Sequence, residues 1–169
     1  RVMGSPMVAR QPKGLLRWLL RMPILLYRLR LGWLLGSRFL LLHHIGRKSG
    51  LPRRTVVEVV DHDKACDVYA VASGWGTKAD WYRNVLANPD VTIRVGRRTL
   101  AVRAETLPPD VAAQALAQYR ERYPRAAREL SRVIGVNLAG ASREELEQIV
   151  SESLPLVAFH PRHAEAQRL

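Results

Sequence analysis

Residues 54–73, "RTVVEVVDHDKACDVYAVAS", decide the fold. Two runs rich in β-branched and apolar residues, 54–62 and 67–73, flank a short polar segment of the kind that turns a chain, so the stretch reads as an antiparallel hairpin. The pattern recurs outward from it. "VTIRV" (91–95) and "TLAVRAETL" (99–107) are joined by "GRR", whose glycine suits a second hairpin turn. The apolar runs "RFLLLHHI" (38–45) and "LPLVAFHP" (154–161) supply further strands. Between the hairpins, "TKADWYRNVLANPD" is helical and stops at Asn88-Pro89. After residue 108 the pattern turns helical, over 109–122, 124–134 and 142–152, the last opened by a capping box from Ser142 to Glu145. Five or six strands in antiparallel hairpins with interposed helices predict a small α+β barrel.

The chain has 169 residues, 47% of them apolar and 25% charged, which suits a globular domain with an appendage rather than a disordered chain. Its one cysteine, Cys66, excludes an internal disulfide framework and fits a reducing compartment. With no base or helix N-terminus beside it in sequence, that thiol reads as incidental. The net charge of +12 is unevenly placed. Twelve Lys or Arg and no Asp or Glu lie between Arg1 and Arg54, whereas the remainder carries fifteen of each. Such asymmetry points to an anionic partner at that end: a membrane surface, a polyanionic ligand or nucleic acid. Nucleic acid is disfavoured, because the basic segment is interleaved with leucine and no recognised binding motif is present.

That segment, "KGLLRWLLRMPILLYRLRLGWLL" (13–35), repeats its cations at helical spacing, with Pro23 set to kink or split the helix. Arginines interrupt it too often for a transmembrane span or a signal peptide. It reads as a basic amphipathic helix that either lies in a bilayer interface or covers one side of the core. The expected organisation is a basic segment at 1–36, the barrel at 37–161 and a short tail at 162–169.

Two constellations carry candidate chemistry. In "GRKSGLPRR" (46–54), Gly46 and Gly50 let backbone amides approach a ligand, Arg47, Lys48 and Arg53 add charge, and Ser49 adds a hydroxyl donor. This suits phosphate or clustered carboxylates, and the alternative is a solvated turn. A Walker loop is excluded because a strand follows where a helix is required. In "ASGWGTKADWYRNVLANP" (72–89), a strand ends at Ser73, and Gly74 and Gly76 flank Trp75 before a helix with Trp81 and Tyr82. The small residues form a floor for a planar ring, with Trp81 and Tyr82 as its wall or, for Trp81, as a core anchor. His43 and His44 are adjacent on a strand and face opposite sides, which disfavours joint metal ligation. No metal is expected.

In this order and spacing, "GRKSGLPR", "VASGWG" and "DWYRNVLANPDVTIRVG" resemble the deazaflavin-dependent nitroreductase family, strongly over 38–107 and more weakly through Pro161. The resemblance implies an FMN-binding-like split β-barrel that holds reduced coenzyme F420, a deazaflavin with a phosphate and an oligoglutamate tail. Gly46, Arg47, Lys48, Ser49 and Arg53 match contacts to the phosphate and tail. Ser73, Gly74 and Gly76 match the loop beside the ring, with Trp81 and Tyr82 in the motif that follows. It further implies hydride transfer to a quinone or other electron-poor acceptor, with Ser73 bonding an acceptor oxygen and Tyr123 capping the pocket or relaying a proton. A lipophilic acceptor fits a cytoplasmic protein held peripherally on the inner face of an anionic membrane. A non-catalytic binder and an FMN-dependent enzyme on the same barrel are the alternatives. The chain departs from the family at Gly74-Trp75, at "ERYPRAAREL" and at Glu58, where a strand aromatic is typical.

Overall fold

The computed structural model describes residues 38–74 and 76–162. The basic N-terminal segment with its expected helix, Trp75 and the tail from residue 163 lie outside the described residues. The elements run β1 (Phe39–Ile45), β2 (Pro52–Asp63), β3 (Val68–Ala72), α1 (Asp80–Ala87), β4 (Asp90–Val95), β5 (Arg98–Thr106), α2 (Pro109–Arg122), α3 (Pro124–Ile134), α4 (Arg143–Glu152) and β6 (Leu156–Pro161). A short 3₁₀ turn, Gly76–Lys78, leads into α1.

The six strands form a closed barrel in the order β1-β2-β3-β6-β5-β4, with every neighbouring pair antiparallel. The expected α+β barrel is present, with both expected hairpins in it. Alternation explains the packing, since every second strand residue faces inward. Leu40, Leu42, Val57, Tyr69, Val71, Ile93, Val102, Val157 and Phe159 fill the interior, and Tyr82 and Val85 close over it from α1. Closure depends on β4 reaching β1, where Leu42 pairs with Ile93.

A second core lies outside the barrel. Helices α2, α3 and α4 contribute Leu116, Tyr119, Ala127, Leu146 and Val150 to it, and the strands contribute Val60 and Leu156. Strand β2 serves both cores by alternation, with Val57 and Val59 in the barrel core and Val60 in the helical layer. Its pairing with β3 shifts register between Val59 and Asp61. The capping box is complete. Ser142 Oγ accepts from Glu145 N at 3.2 Å and Glu145 Oε2 accepts from Ser142 N at 2.7 Å.

The strand directions gather the connections at two ends. At one end, the β2–β3 turn is pinned by Asp67, whose carboxylate accepts from Arg98 and lies 3.0 Å from His62 Nε2. The His62 ring stacks on Tyr69 at 3.9 Å. The β1–β2 turn, the loop after β3, α1 and the start of β6 lie at the other end, where β1 finishes opposite the start of β2 and β3 finishes opposite the start of β6. Both sequence constellations fall there.

Candidate functional site

The glycine turn is built on two backbone bonds, Gly46 N to Leu51 O at 2.9 Å and Gly50 N to Gly46 O at 2.8 Å. Gly50 has φ +68°, a conformation that L side chains rarely adopt. A Cβ at Gly46 would lie 2.5 Å from Ser49 Oγ, so the turn has no room for a larger residue unless Ser49 moves. Ser49 Oγ accepts from Leu51 N at 3.2 Å. Lys48, Ser49 and Arg53 are exposed, and among the described residues neither Lys48 nor Arg53 has a carboxylate partner.

Arg47 is placed differently. Its backbone N–H and its Nη1 both donate to Asn84 Oδ1, each at 3.0 Å, and Nη1 also reaches Asp80 Oδ1 at 3.3 Å. The guanidinium therefore spans from the turn to α1. The other side of Asn84 meets His44 Nδ1 at 3.1 Å, and both residues are buried. Burial, then the positive charge of Arg53 and His43, lowers the His44 pKa to about 4, against a smaller opposing pull from Asp80.

The loop after β3 is fixed at Ser73, which is fully buried. Its N–H donates to Pro155 O at 3.0 Å, and its hydroxyl donates to Gly76 O at 2.7 Å. The hydroxyl thus closes its own loop. Gly76 has φ +66°, and a Cβ there would stand 3.3 Å from Ser153 O. Gly74 contrasts with it, because a Cβ at Gly74 meets nothing within 4 Å. Trp81 is half-buried against the barrel core and meets Tyr82 edge to face at 6.1 Å. Tyr82 is buried within that core, with its hydroxyl 3.3 Å from Thr106 Oγ1.

Tyr123 joins α2 to α3, away from the glycine turn in sequence and in element. The Arg38 guanidinium lies over its ring at 4.6 Å, and Tyr119 packs beside it at 5.8 Å. Glu58 gathers this group on the outer side of β2. Its Oε1 accepts from Tyr119 Oη at 2.7 Å and from Arg38 Nη2 at 3.0 Å. Burial, then the hydrogen bond to Glu58 and its charge, raises the Tyr119 pKa, so that phenol keeps its proton. Glu58 directly precedes Val59, which pairs with Val71, two residues before Ser73. The group therefore lies along β2 toward the Ser73 loop.

Two cavities flank this end. One of about 460 Å³ lies between α1, β5 and β6, with Val85, Leu86, Ala104, Thr106 and Val157 in its lining. The other, of about 450 Å³, lies beside α4 and reaches Ser153, whose carbonyl oxygen would stand 3.3 Å from a Cβ on Gly76. No group of three or more His, Cys, Asp or Glu among the described residues is arranged to hold a metal ion.

The structure thus joins Gly46, Arg47, Lys48 and Ser49 in one turn, with Arg53 beside it at the start of β2. Through Arg47 it ties that turn to α1, the helix that follows the loop of Ser73, Gly74 and Gly76. Tyr123 belongs to a separate cluster with Arg38, Glu58 and Tyr119. Sequence reasoning missed Asn84, Asp80 and Glu58 as connecting residues. Helical spacing does not put Asn84 on the face of Tyr82 and Val85, and its partners lie 37 and 40 residues away in the chain.

The class of protein defined so far is a closed antiparallel barrel that carries a glycine-shaped cationic turn and a buried loop at one end. The model of the F420H(2)-dependent quinone reductase family matches residues 29–152, and the chain belongs to that family. The resemblance to the deazaflavin-dependent nitroreductase family is met in part: the family shown is that of the F420H(2)-dependent quinone reductases. The chain is 37% identical over 70 residues to an F420H(2)-dependent quinone reductase of Mycobacterium tuberculosis, a match covering 41% of this chain and 47% of that one. It spans about half the length of the curated relatives it matches. Among solved structures it is similar to an F420-H2 dependent reductase, FDR-A, with a TM-score of 0.50 at 21% identity over 74% of this chain and 96% of that one. It is also similar to the haem storage protein HutZ of Vibrio cholerae, with a TM-score of 0.51 at 17% identity over 78% and 87%. At these identities the structural likenesses establish the shared barrel fold.

Proposed function

We propose that the chain is a reductase that binds reduced coenzyme F420 and delivers a hydride to a quinone or a similarly electron-poor acceptor. The observation that carries this reading is the glycine turn of a member of this family, with exposed Lys48 and Arg53 unpaired among the described residues and Gly50 in a left-handed conformation. Those groups fit the ligand chemically. Charge-assisted bonds favour phosphate and carboxylate oxygens, and a turn without a Cβ at Gly50 lets amides approach them.

When bound, the reduced deazaflavin supplies two electrons together as a hydride, and a proton completes reduction of a quinone to its hydroquinone. The chain binds and orients. Lys48, Ser49 and Arg53 hold the phosphate and acidic tail. The loop of Ser73, Gly74 and Gly76 forms the floor beside the ring, with Gly74 as the open position. Ser73 holds that floor in shape through its bond to Gly76 O, and with its one proton committed there it has none to donate to a quinone oxygen, contrary to the sequence expectation. Tyr123 walls the acceptor side, its ring under Arg38. Trp81 borders the site from α1, while Tyr82 supports it from the barrel core. The basic segment at 1–36 brings the protein to an anionic membrane surface, where lipophilic quinones are reached; no helix among the described residues is long and apolar enough to cross a membrane.

Anaerobic titration with F420 and, separately, FMN tests the cofactor, and mixing the F420H2-loaded protein with a water-soluble quinone tests the reaction. The expected result is salt-sensitive F420 binding and quinone-dependent oxidation of the coenzyme. Preference for FMN overturns the cofactor, and tight F420 binding without turnover makes the protein a binder.

A further inference from the structure

We propose that Asn84 and His44 are the positioning pair of the glycine turn, with Arg47 as the strut between turn and helix and Lys48, Ser49 and Arg53 as the groups that meet the ligand. This rests on the reading of the turn as the seat of the coenzyme's anionic half. It reassigns Arg47 from ligand contact to support.

The hydrogen bonds fix the chemistry of the pair. Both groups that Arg47 offers to Asn84 Oδ1 are donors, so that atom is the amide oxygen. The amide nitrogen then faces His44 Nδ1 and donates to it at 3.1 Å. His44 Nδ1 must therefore lack a proton, which leaves the imidazole neutral with its proton on Nε2. Asn84 is 4% and His44 6% exposed, so neither has water as a ready substitute for a lost partner. Three parts of the chain meet at one amide: β1 through His44, the turn through Arg47, and α1 through Asn84 itself.

The charges around His44 keep this arrangement closed. Arg53 faces it from β2 and His43 adjoins it on β1, both disfavouring a second proton, while Asp80 on α1 favours one more weakly. A proton on Nδ1 would set two donors against each other and free the amide to turn away from Arg47. The guanidinium of Arg47 is already engaged by Asn84 and Asp80, with its side chain 23% exposed. Lys48, one residue on, is exposed and unengaged among the described residues.

Asn84→Asp separates positioning from bulk. The new carboxylate keeps the acceptor for Arg47 but presents a second oxygen to His44 Nδ1, so the bridge closes only when Nδ1 carries a proton, in the neutral Nδ1–H tautomer or in the imidazolium. In wild-type protein, nitrogen NMR of His44 should show Nδ1 as an acceptor and a titration near 4. In Asn84→Asp the titration should rise toward or above the ordinary histidine value of about 6.5. Above that titration the neutral ring of the variant should carry its proton on Nδ1, the tautomer opposite to that of the wild type. Wild-type F420 affinity should stay flat over the pH range of that titration. Asn84→Leu should bind F420 about tenfold more weakly at every pH, for the loss of that bond, while Lys48→Gln should bind weakly and with reduced salt dependence. A protonated Nδ1 in wild-type His44 overturns the inference even if no variant folds. So does full F420 affinity in Asn84→Leu beside weakened binding in Lys48→Gln. Salt-insensitive binding in both wild type and Lys48→Gln instead removes the tail site, leaving the His44 measurement to decide the bridge.

Discussion

Two glycines separated by one residue make opposite demands. Gly76 has φ +66° and stands close to Ser153 O, so Gly76→Ala should lower stability by roughly 1–2 kcal/mol, the cost of a left-handed conformation for an L residue. Gly74 has open space where a Cβ would go, so Gly74→Val should leave the melting temperature unchanged yet weaken F420 binding if the ring lies there. Calorimetry and binding titration of both variants check the contrast. His44 makes a pH prediction. Its folded pKa of about 4 lies below the unfolded value, so the native state favours the neutral ring. The resulting stability is complete above the unfolded pKa and is lost as pH falls toward the folded one. Its size is about 3 kcal/mol at most. Urea unfolding from pH 7 down to 4 should show that loss, reduced in His44→Gln.

Elements were largely legible in the chain because their local signals agree. The β-branched runs, Gly96 in the second hairpin turn, Asn88-Pro89 after α1 and Ser142 with Glu145 before α4 each mark a boundary that depends on nearby residues. Long-range pairings were not legible. Nothing local tells β4 to close on β1, or tells β6 to insert between β3 and β5. The same reason hid part of the site: the turn's glycines and cations are contiguous, whereas Asn84, His44 and Arg47 meet only after α1 has folded across the barrel end. The cap offers an element-scale test. Ser142→Ala should cost about 1 kcal/mol, because it leaves the Glu145 N–H without its partner. Urea unfolding monitored by far-UV circular dichroism should register that cost.

At the scale of the molecule, charge and architecture are separate matters. Seven Lys or Arg and no acid fall within residues 1–30, outside the described residues. Deleting those residues should release the protein from anionic vesicles while leaving F420 oxidation by a water-soluble quinone largely intact. Wild-type vesicle binding should weaken with salt if each basic residue contributes about 1 kcal/mol near the surface. Cosedimentation at two salt concentrations reads both effects, and a full-length protein that ignores the vesicles refutes the membrane assignment. The closed ring of strands has a consequence for assembly. Every described strand already has a neighbour on each side, so the barrel offers no edge on which a second chain could extend the sheet without first opening it. Association through an intact barrel must therefore use side-chain surfaces, and a strand-exchanged form would have to cross the barrier of breaking a ladder first.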